Sequence, residues 1–222
     1  MSGIMEIKNG FFIKFLMKYN LPRKYFSYSQ YSCFKRSREE YYKQYILNEK
    51  RFETREILFG RKIASLLESS LFTEKYPTFP DIPHGEKPEF RVETKIRGVP
   101  VLSIMDSYSP STASIFEYKT GREEWNQERV NKHAQLTFYS MAVKHHFGNY
   151  DPNVILCWLE TKLIPRKEVI DGIEYINENP KDMDIDLTGN IKIFTRTIKE
   201  KEIVELEEDI LKVVGEISKM VL

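Results

Sequence analysis

Three segments of the chain carry apolar residues at helical spacing. They are 54–71, 125–147 and 200–221. Residues three or four positions apart share one face of an α-helix, so each segment predicts an amphipathic helix. A fourth helix is expected over 25–47, an aromatic and basic stretch in which Ser27 or Ser29 is a candidate N-cap. The pattern therefore predicts helices at both ends of the chain and one near its middle.

Three consecutive segments are predicted as strands: 89–97, 99–108 and 113–120. The first alternates charged positions with apolar or threonine positions, the second follows a turn at Gly98, and the third follows the turn signal SPST. The segment 153–161 is mostly apolar and is expected to be buried on both faces of a sheet, whereas 191–197 alternates and is expected nearer an edge. A connector rich in Pro and Gly, 76–88, separates the strands from the helices before them. This order predicts an α/β (α+β) fold with a central mixed β-sheet flanked by helices.

The chain has 222 residues, of which 41% are hydrophobic and 30% are charged. This composition predicts a soluble globular protein. The net charge is only +1, but residues 1–62 carry 14 Lys and Arg against 6 Glu and no Asp. Such a basic region suits either a surface that meets phosphates or a solvated helix face. Two distant cysteines and no run of membrane-spanning length predict a cytoplasmic or intracellular location without a membrane.

Two acids and a lysine are unusual because they interrupt apolar strands. Asp106 is the one acid in the second predicted strand, and Glu117 and Lys119 share a face of the third. One interpretation is a turn cap beside a surface ion pair worth under about 1 kcal/mol. The other is a metal site, because neighbouring antiparallel strands would bring the carboxylates together and a divalent cation would offset their repulsion. Mg²⁺ suits one or two carboxylates completed by waters and phosphates.

The span from Ser27 to Tyr139 resembles the PD-(D/E)XK nuclease superfamily, and in particular its RecB-like and λ-type exonuclease branch. The residues that carry the resemblance are GVP at 98–100 leading to Asp106, FEYKTG at 116–121, and Gln135 four residues before Tyr139. The early stretch SYSQYSCFKRSREEYYKQYI also resembles the N-terminal helical region of that branch. The combined pattern is more specific than Asp106, Glu117 and Lys119 alone.

The resemblance implies a restriction-endonuclease-like core in a single domain. Within it, 1–75 is the basic helical region, 86–165 the catalytic core, and 190–222 an edge strand with the C-terminal helix. The implied catalytic residues are Asp106, Glu117 and Lys119. The implied metal ligands are Asp106, Glu117, Tyr118 and Glu68, with Mg²⁺ or Mn²⁺ as the cofactor. The implied substrate contacts are Gln135, Tyr139, Arg36, Arg38 and Lys62.

The chain departs from these relatives at two points. Many relatives carry a histidine four residues after a glycine like Gly60, where this chain has Ala64. Glu68 lies one turn further along and could reach the metal, or it is an exposed helix-end residue; His84 in the connector is a further candidate. Some relatives hold an iron–sulfur cluster, but two cysteines cannot supply four thiolates, so no cluster is expected here.

The expected function is metal-dependent hydrolysis of DNA phosphodiester bonds, exonuclease-like, in recombination, repair or replication. An RNA endonuclease on the same scaffold is an alternative, and so is a nucleic-acid-binding protein that has lost its chemistry. The expected partner is DNA with single- or double-stranded ends. A separate helicase or recombination protein and a homo-oligomer are further partners that the resemblance allows.

Overall fold

A six-stranded mixed β-sheet forms the centre of the computed structural model, which describes residues 19–69, 71–148, 151–170, 173–177, 179 and 181–221. The strands of this sheet are β1 Phe26–Ser27, β2 Lys87–Ile96, β3 Val99–Ser109, β4 Ser114–Gly121, β5 Asn153–Ile164 and β8 Asp184–Thr197; β6 and β7 form a separate hairpin described below. The strand order is β1-β3-β4-β5-β8, and β2 also pairs with β3. The pairs β1–β3 and β4–β5 are parallel and the other pairs are antiparallel.

Helices cover both faces of this sheet. The helices are α1 Tyr28–Arg36, α2 Arg38–Tyr41, α3 Arg55–Glu68, α4 Phe72–Lys75, α5 Gln127–Asn131, α6 Ala134–Phe147 and α7 Glu200–Met220, with a π-helical turn over Tyr42–Ile46. One apolar cluster joins the sheet to α1, α6 and α7, and a second joins it to α3 and α4. The predicted mixed sheet flanked by helices is therefore confirmed.

The predicted meander is present as β2, β3 and β4. The turn between β2 and β3 places Arg97 at φ 46° and Gly98 at φ 90°, the left-handed conformation that two-residue hairpin turns need. The predicted buried strand is β5, which lies between β4 and β8. The predicted edge strand is β8, although it begins at Asp184 and is longer than expected.

The helix expected over 25–47 is wrong as a continuous element. Ser27 caps α1 as predicted, but the helix ends at Arg36, because Ser37 has an extended backbone and its side chain accepts a hydrogen bond from the Glu40 N–H. One serine thus closes α1 and starts α2. The first 18 residues of the predicted basic helical region lie outside the described part of the chain.

The helix expected over 125–147 is also divided. Asn126 caps α5, the helix ends at Asn131, and α6 starts after an extended His133. The buried guanidinium of Arg196 on β8 donates hydrogen bonds of 3.1 Å to the Val130 and His133 carbonyls, and it also pairs with Glu202 on α7. These contacts stabilise the break between α5 and α6.

The chain between β5 and β8 forms a separate two-stranded hairpin that the sequence pattern did not predict. Its strands are β6 Arg166–Ile170 and β7 Ile173–Asn177. Tyr175 and Ile176, neighbours on β7, are 48% and 63% exposed, so no buried face marks the strand at these positions. In the part of the chain that the structure describes, no helix has both the length and the apolar character needed to cross a bilayer.

Candidate active site

The candidate site lies where β3 and β4 separate. Their antiparallel pairing runs from Ser109 opposite Ser114 to Ser107 opposite Phe116, and it stops there. Continued by one residue, this register would place Asp106 opposite Glu117. Instead, the Asp106 carboxylate accepts a hydrogen bond of 2.7 Å from the Tyr118 N–H. The gap between the strands is therefore bridged by a side chain.

Glu117 and Lys119 point to the α6 side of β4, as their alternate spacing predicted. The Lys119 ammonium forms an ion pair with Oε1 of Glu117. Glu117 is only 2% exposed, and its Oε2 atom is buried without a hydrogen-bond partner within the described part of the chain. A buried carboxylate oxygen with no partner is costly, so this atom is well suited to bind a cation. The surface ion pair considered from sequence does not fit this burial.

A hydrogen-bonded chain links Lys119 to α6. The Lys119 ammonium donates to Oε1 of Gln135 over 2.9 Å, and the Gln135 amide donates to the Tyr139 hydroxyl over 2.6 Å. Gln135 and Tyr139 lie one helical turn apart and so face the same side of α6. The amide of Gln135 therefore fixes the direction in which Lys119 points.

When no cation is bound, a proton on Asp106 keeps the charges of this cluster in balance. Burial, reinforced by the negative charge of Glu117, raises the pKa of Asp106 to about 8. Burial alone would lower the pKa of Lys119, but attraction to the Glu117 carboxylate outweighs it, and the pKa of Lys119 is raised. The phenol of Tyr139 stays protonated, because burial and the two nearby carboxyl groups raise its pKa well above the usual value.

A divalent cation fits this arrangement, because it would replace the Asp106 proton and engage the free Oε2 atom of Glu117. The described residues contain no group of three or more His, Cys, Asp or Glu side chains that could hold a metal ion. In this structure the described residues thus offer two carboxylates to a cation, Asp106 and Glu117, and Glu68 would have to approach them to become a third ligand. That number of carboxylates is typical of Mg²⁺, which keeps waters and phosphates as its other ligands.

A cleft of about 250 Å³ opens beside Asp106 and brings further predicted residues to the site. Glu68 at the end of α3 and His84 of the connector both line it, together with Tyr118. Burial, followed by repulsion from Glu89, raises the pKa of Glu68. Glu68 and His84 therefore face the same space as Asp106, and either one could contribute to binding there.

The connector that carries His84 is tied firmly to the strands. The Gly85 N–H donates to Oγ of Ser107 over 2.8 Å, and the Tyr118 hydroxyl donates to the Pro83 carbonyl over 3.1 Å. Gly85 approaches β3 so closely that an added Cβ would lie 2.4 Å from the backbone of Tyr108. The sequence placed His84 in a loop but did not predict this attachment.

The structure does not bring the predicted basic contacts into the cluster. Arg36 pairs with Glu40 at 2.8 Å, and Arg38 pairs with Glu216 on α7. Lys62 lines a different cleft, which it shares with Lys75. Burial, then the contact with Lys62, lowers the pKa of Lys75.

His133 lies beside the cluster and was not predicted as a site residue. Burial and repulsion from Lys119 lower the pKa of His133 to about 4, so its ring is neutral. The ring centroid of His133 lies 5.0 Å from that of Trp125 and 6.3 Å from that of Tyr28. The one sequence signal for His133 is its position two residues before Gln135.

The sequence model described as the PD-(D/E)XK nuclease superfamily matches residues 86–218, which is more than half of the chain. No curated protein matches the sequence.

The chain is similar in structure to a candidate exonuclease from Eubacterium rectale, with a TM-score of 0.54, 13% identity, and coverage of 100% of this chain and 88% of that one. A phage-related exonuclease from Haemophilus somnus 129PT gives a TM-score of 0.49 and 12% identity, covering 84% of this chain and 81% of that one. The first of these similarities shows a shared fold.

Proposed function

This chain belongs to the PD-(D/E)XK nuclease superfamily, and from that premise we propose that it is a metal-dependent deoxyribonuclease with exonuclease-like action. The observation that carries the proposal is the pair of carboxyl groups, half-buried Asp106 and buried Glu117, with Lys119 bound to Glu117. The proposal treats the chain as one nuclease domain that acts in recombination, repair or replication. A separate helicase or recombination partner, or a homo-oligomer, is compatible with it.

In this proposal Asp106 and Glu117 would hold Mg²⁺ or Mn²⁺, and Tyr118 and Glu68 would complete the protein's share of the ligands. A bound metal would polarise the phosphate and lower the pKa of a water molecule. Lys119 stays charged, and its ammonium, paired with Glu117, would orient the attacking water and offset charge on the phosphate.

Residues around the metal site would bind and position the substrate. Gln135 holds Lys119 and presents the Tyr139 hydroxyl toward the phosphate near the cleaved bond. Arg36, Arg38 and Lys62 are proposed to attract the more distant phosphates of DNA. Arg36 and Arg38 already pair with carboxylates, so their contribution to DNA binding is expected to be small.

The test is digestion of labelled nucleic acid by the wild type and by Glu117→Gln. Single-stranded, double-stranded and circular DNA, and an RNA of the same sequence, are each labelled at one end and incubated with Mg²⁺, Mn²⁺ or EDTA. We expect linear DNA to be degraded only with metal, and Glu117→Gln to lose at least about 100-fold in rate, which is about 3 kcal/mol of transition-state stabilisation. Cleavage of circular DNA would show that no end is required.

The matched control is Glu123→Gln, because the Glu123 side chain is 87% exposed and pairs with Arg129. We expect this variant to cleave at the wild-type rate. A folded Glu117→Gln protein that keeps more than a tenth of that rate contradicts the metal site, and RNA cleavage without DNA cleavage contradicts the proposed substrate.

A further inference from the structure

A groove separate from the Asp106 cleft lies near the start of β3, where β1 pairs with Val101 and Leu102. Its volume is about 580 Å³, and it is formed by the chain before and within α1, the chain around the π-helical turn, and Leu102. The basic side chains that line it are Arg23, Lys24, Lys50 and Arg51. Among the described lining residues, Glu49 is the one acid, so the groove is strongly positive.

The cations of this groove are weakly paired. In the part of the chain that the structure describes, none of the four basic side chains forms an ion pair within 4.0 Å, unlike Arg36 and Arg38. Arg23 instead donates to the Asn48 amide oxygen over 3.1 Å, and Lys24 is attracted to Glu93 beyond ion-pair distance. A polyanion would therefore compete with one acidic neighbour at Lys24 but would not have to break a close ion pair.

Aromatic rings lie beside these charges. The Lys24 ammonium is 4.9 Å from the centre of the Tyr25 ring, and the Arg23 guanidinium is 5.8 Å from the centre of the Tyr45 ring. Basic side chains that follow a backbone, interleaved with rings on which bases stack, are the usual means of binding single-stranded nucleic acid. The groove matches that chemistry in both charge and ring content.

The groove lies within reach of the candidate active site. Leu102 and Asp106 are four residues apart on β3, about 13 Å at the usual rise of a strand. Alternate residues of a strand share a face, and Ile104, which lies between these two, is 47% exposed. A strand of nucleic acid could thus pass from Asp106 across Ile104 to the groove over an open surface.

We infer that this groove binds a single-stranded segment of the nucleic-acid substrate a few nucleotides from the bond that is cleaved. The inference rests on the proposed function, because it takes the substrate to be nucleic acid. It adds a binding site that contains none of the residues assigned to catalysis. The groove would hold the substrate on the protein between successive cleavage events.

The experiment compares two triple variants with equal loss of charge. Lys24→Ala/Lys50→Ala/Arg51→Ala removes exposed cations of the groove. Lys132→Ala/Lys167→Ala/Lys201→Ala removes cations that lie elsewhere and are 74%, 73% and 84% exposed. Binding of fluorescent (dT)16 is measured by anisotropy in EDTA at a series of salt concentrations, and melting temperatures confirm that both variants are folded.

We expect the groove variant to lose about 2 units of the slope of log affinity against log salt, because each single-strand phosphate contact contributes about 0.7. Between about 50 and 200 mM salt, wild-type affinity should then fall about 20-fold more than that of the groove variant. The control variant should keep the wild-type slope. Equal slopes for the two variants would overturn the inference.

Competition identifies the class of ligand. Poly-glutamate of the same charge as (dT)16 should displace it at least tenfold less well, and equal displacement would make the groove an acidic-peptide site and overturn the inference. Binding is measured without metal, so it does not depend on cleavage. Loss of the proposed function is seen instead as an active Glu117→Gln variant, whatever the groove variant binds.

Discussion

The Asp106 carboxyl group keeps its proton at neutral pH in the absence of a cation, because its pKa is raised to about 8. A raised pKa means that the folded protein binds this proton more tightly than the unfolded chain does. The resulting stability is complete below the unfolded value near 4 and is lost as the pH rises through about 8. Metal affinity should change in the opposite direction, since binding releases the proton.

Asp106→Asn should therefore remove this pH dependence from the metal-free protein. We expect the variant and the wild type to melt within about 1 °C of each other at pH 4, and the variant to melt at least about 3 °C higher at pH 9, with the difference growing between these values. Scanning fluorimetry in EDTA measures both. Asp151→Asn, a change at a side chain that is 66% exposed, is the control and should show no such difference. A constant gap at all pH values would contradict the raised pKa.

Gln135→Ala tests whether the amide orients Lys119. Lys119 would keep its ion pair with Glu117 but lose the 2.9 Å hydrogen bond to Gln135, so its ammonium should adopt several orientations. We expect single-turnover cleavage to slow about tenfold, while Mn²⁺ affinity by calorimetry stays unchanged. Tyr139→Phe removes only the hydroxyl and so breaks the Gln135–Tyr139 hydrogen bond while leaving the Lys119–Gln135 bond in place. Comparing the two variants shows which of these hydrogen bonds the cleavage rate depends on. A fall in melting temperature with an unchanged rate per folded molecule would mean that Gln135 only holds α6 on the sheet.

At the scale of elements, the connector between α4 and β2 forms one wall of the cleft. Gly85→Ala would bring a Cβ to 2.4 Å from the Tyr108 backbone, so the connector must move and the Gly85–Ser107 hydrogen bond must lengthen. We expect a loss of about 1–3 kcal/mol in the free energy of unfolding and slower cleavage.

Gly215→Ala is the matched control for this change. Gly215 lies in α7, and nothing lies within 4 Å of the position its Cβ would take. The substitution should be neutral or stabilise by up to about 1 kcal/mol, since alanine favours a helix. Chemical denaturation of both variants decides the point, and equal stability of the two would show that the connector can move freely.

Elements that follow from local pattern were predicted well from the sequence. β2 alternates, β3 and β4 each follow a turn signal, and α3 and α7 carry apolar residues at helical spacing, so the local sequence was enough to place them. The break between α5 and α6 could not be predicted, because it depends on hydrogen bonds from Arg196, more than sixty residues away.

The same distinction applies to the site. Asp106, Glu117 and Lys119 could be predicted because each interrupts a strand, and strand pairing limits where they meet. His133 and the cleft wall at Gly85 were missed, since their roles come from which elements touch. Tertiary contacts of this kind leave no local pattern of polar and apolar residues.

At the scale of the whole molecule, a net charge of +1 conceals a strongly uneven surface. Reversing Arg36, Arg38 and Lys62 to glutamate should weaken DNA binding uniformly across sequences and flatten its salt dependence. Cleavage at saturating DNA should stay unchanged, because these side chains lie outside the carboxylate cluster.

The alanine version of this triple variant is a more demanding test. Glu40 and Glu216 already offset two of the charges, so replacing the three residues with alanine should reduce the salt slope by less than about 1 unit. Titrations with two unrelated DNA sequences measure both variants. A change in sequence preference would show that one of the three residues contacts a base.

The buried guanidinium of Arg196 has a dynamic consequence. It connects β8, α7 and the first turn of α6, so detachment of α7 would leave an uncompensated charge beside the start of the helix that carries Gln135. Partial opening of the C-terminal helix and loss of order around Gln135 should then be one cooperative fluctuation. Native-state hydrogen exchange should show the amides of residues 135–138 exchanging with the same free energy of opening as those of α7. Catalytic geometry in this protein would then be only as long-lived as the attachment of its last helix.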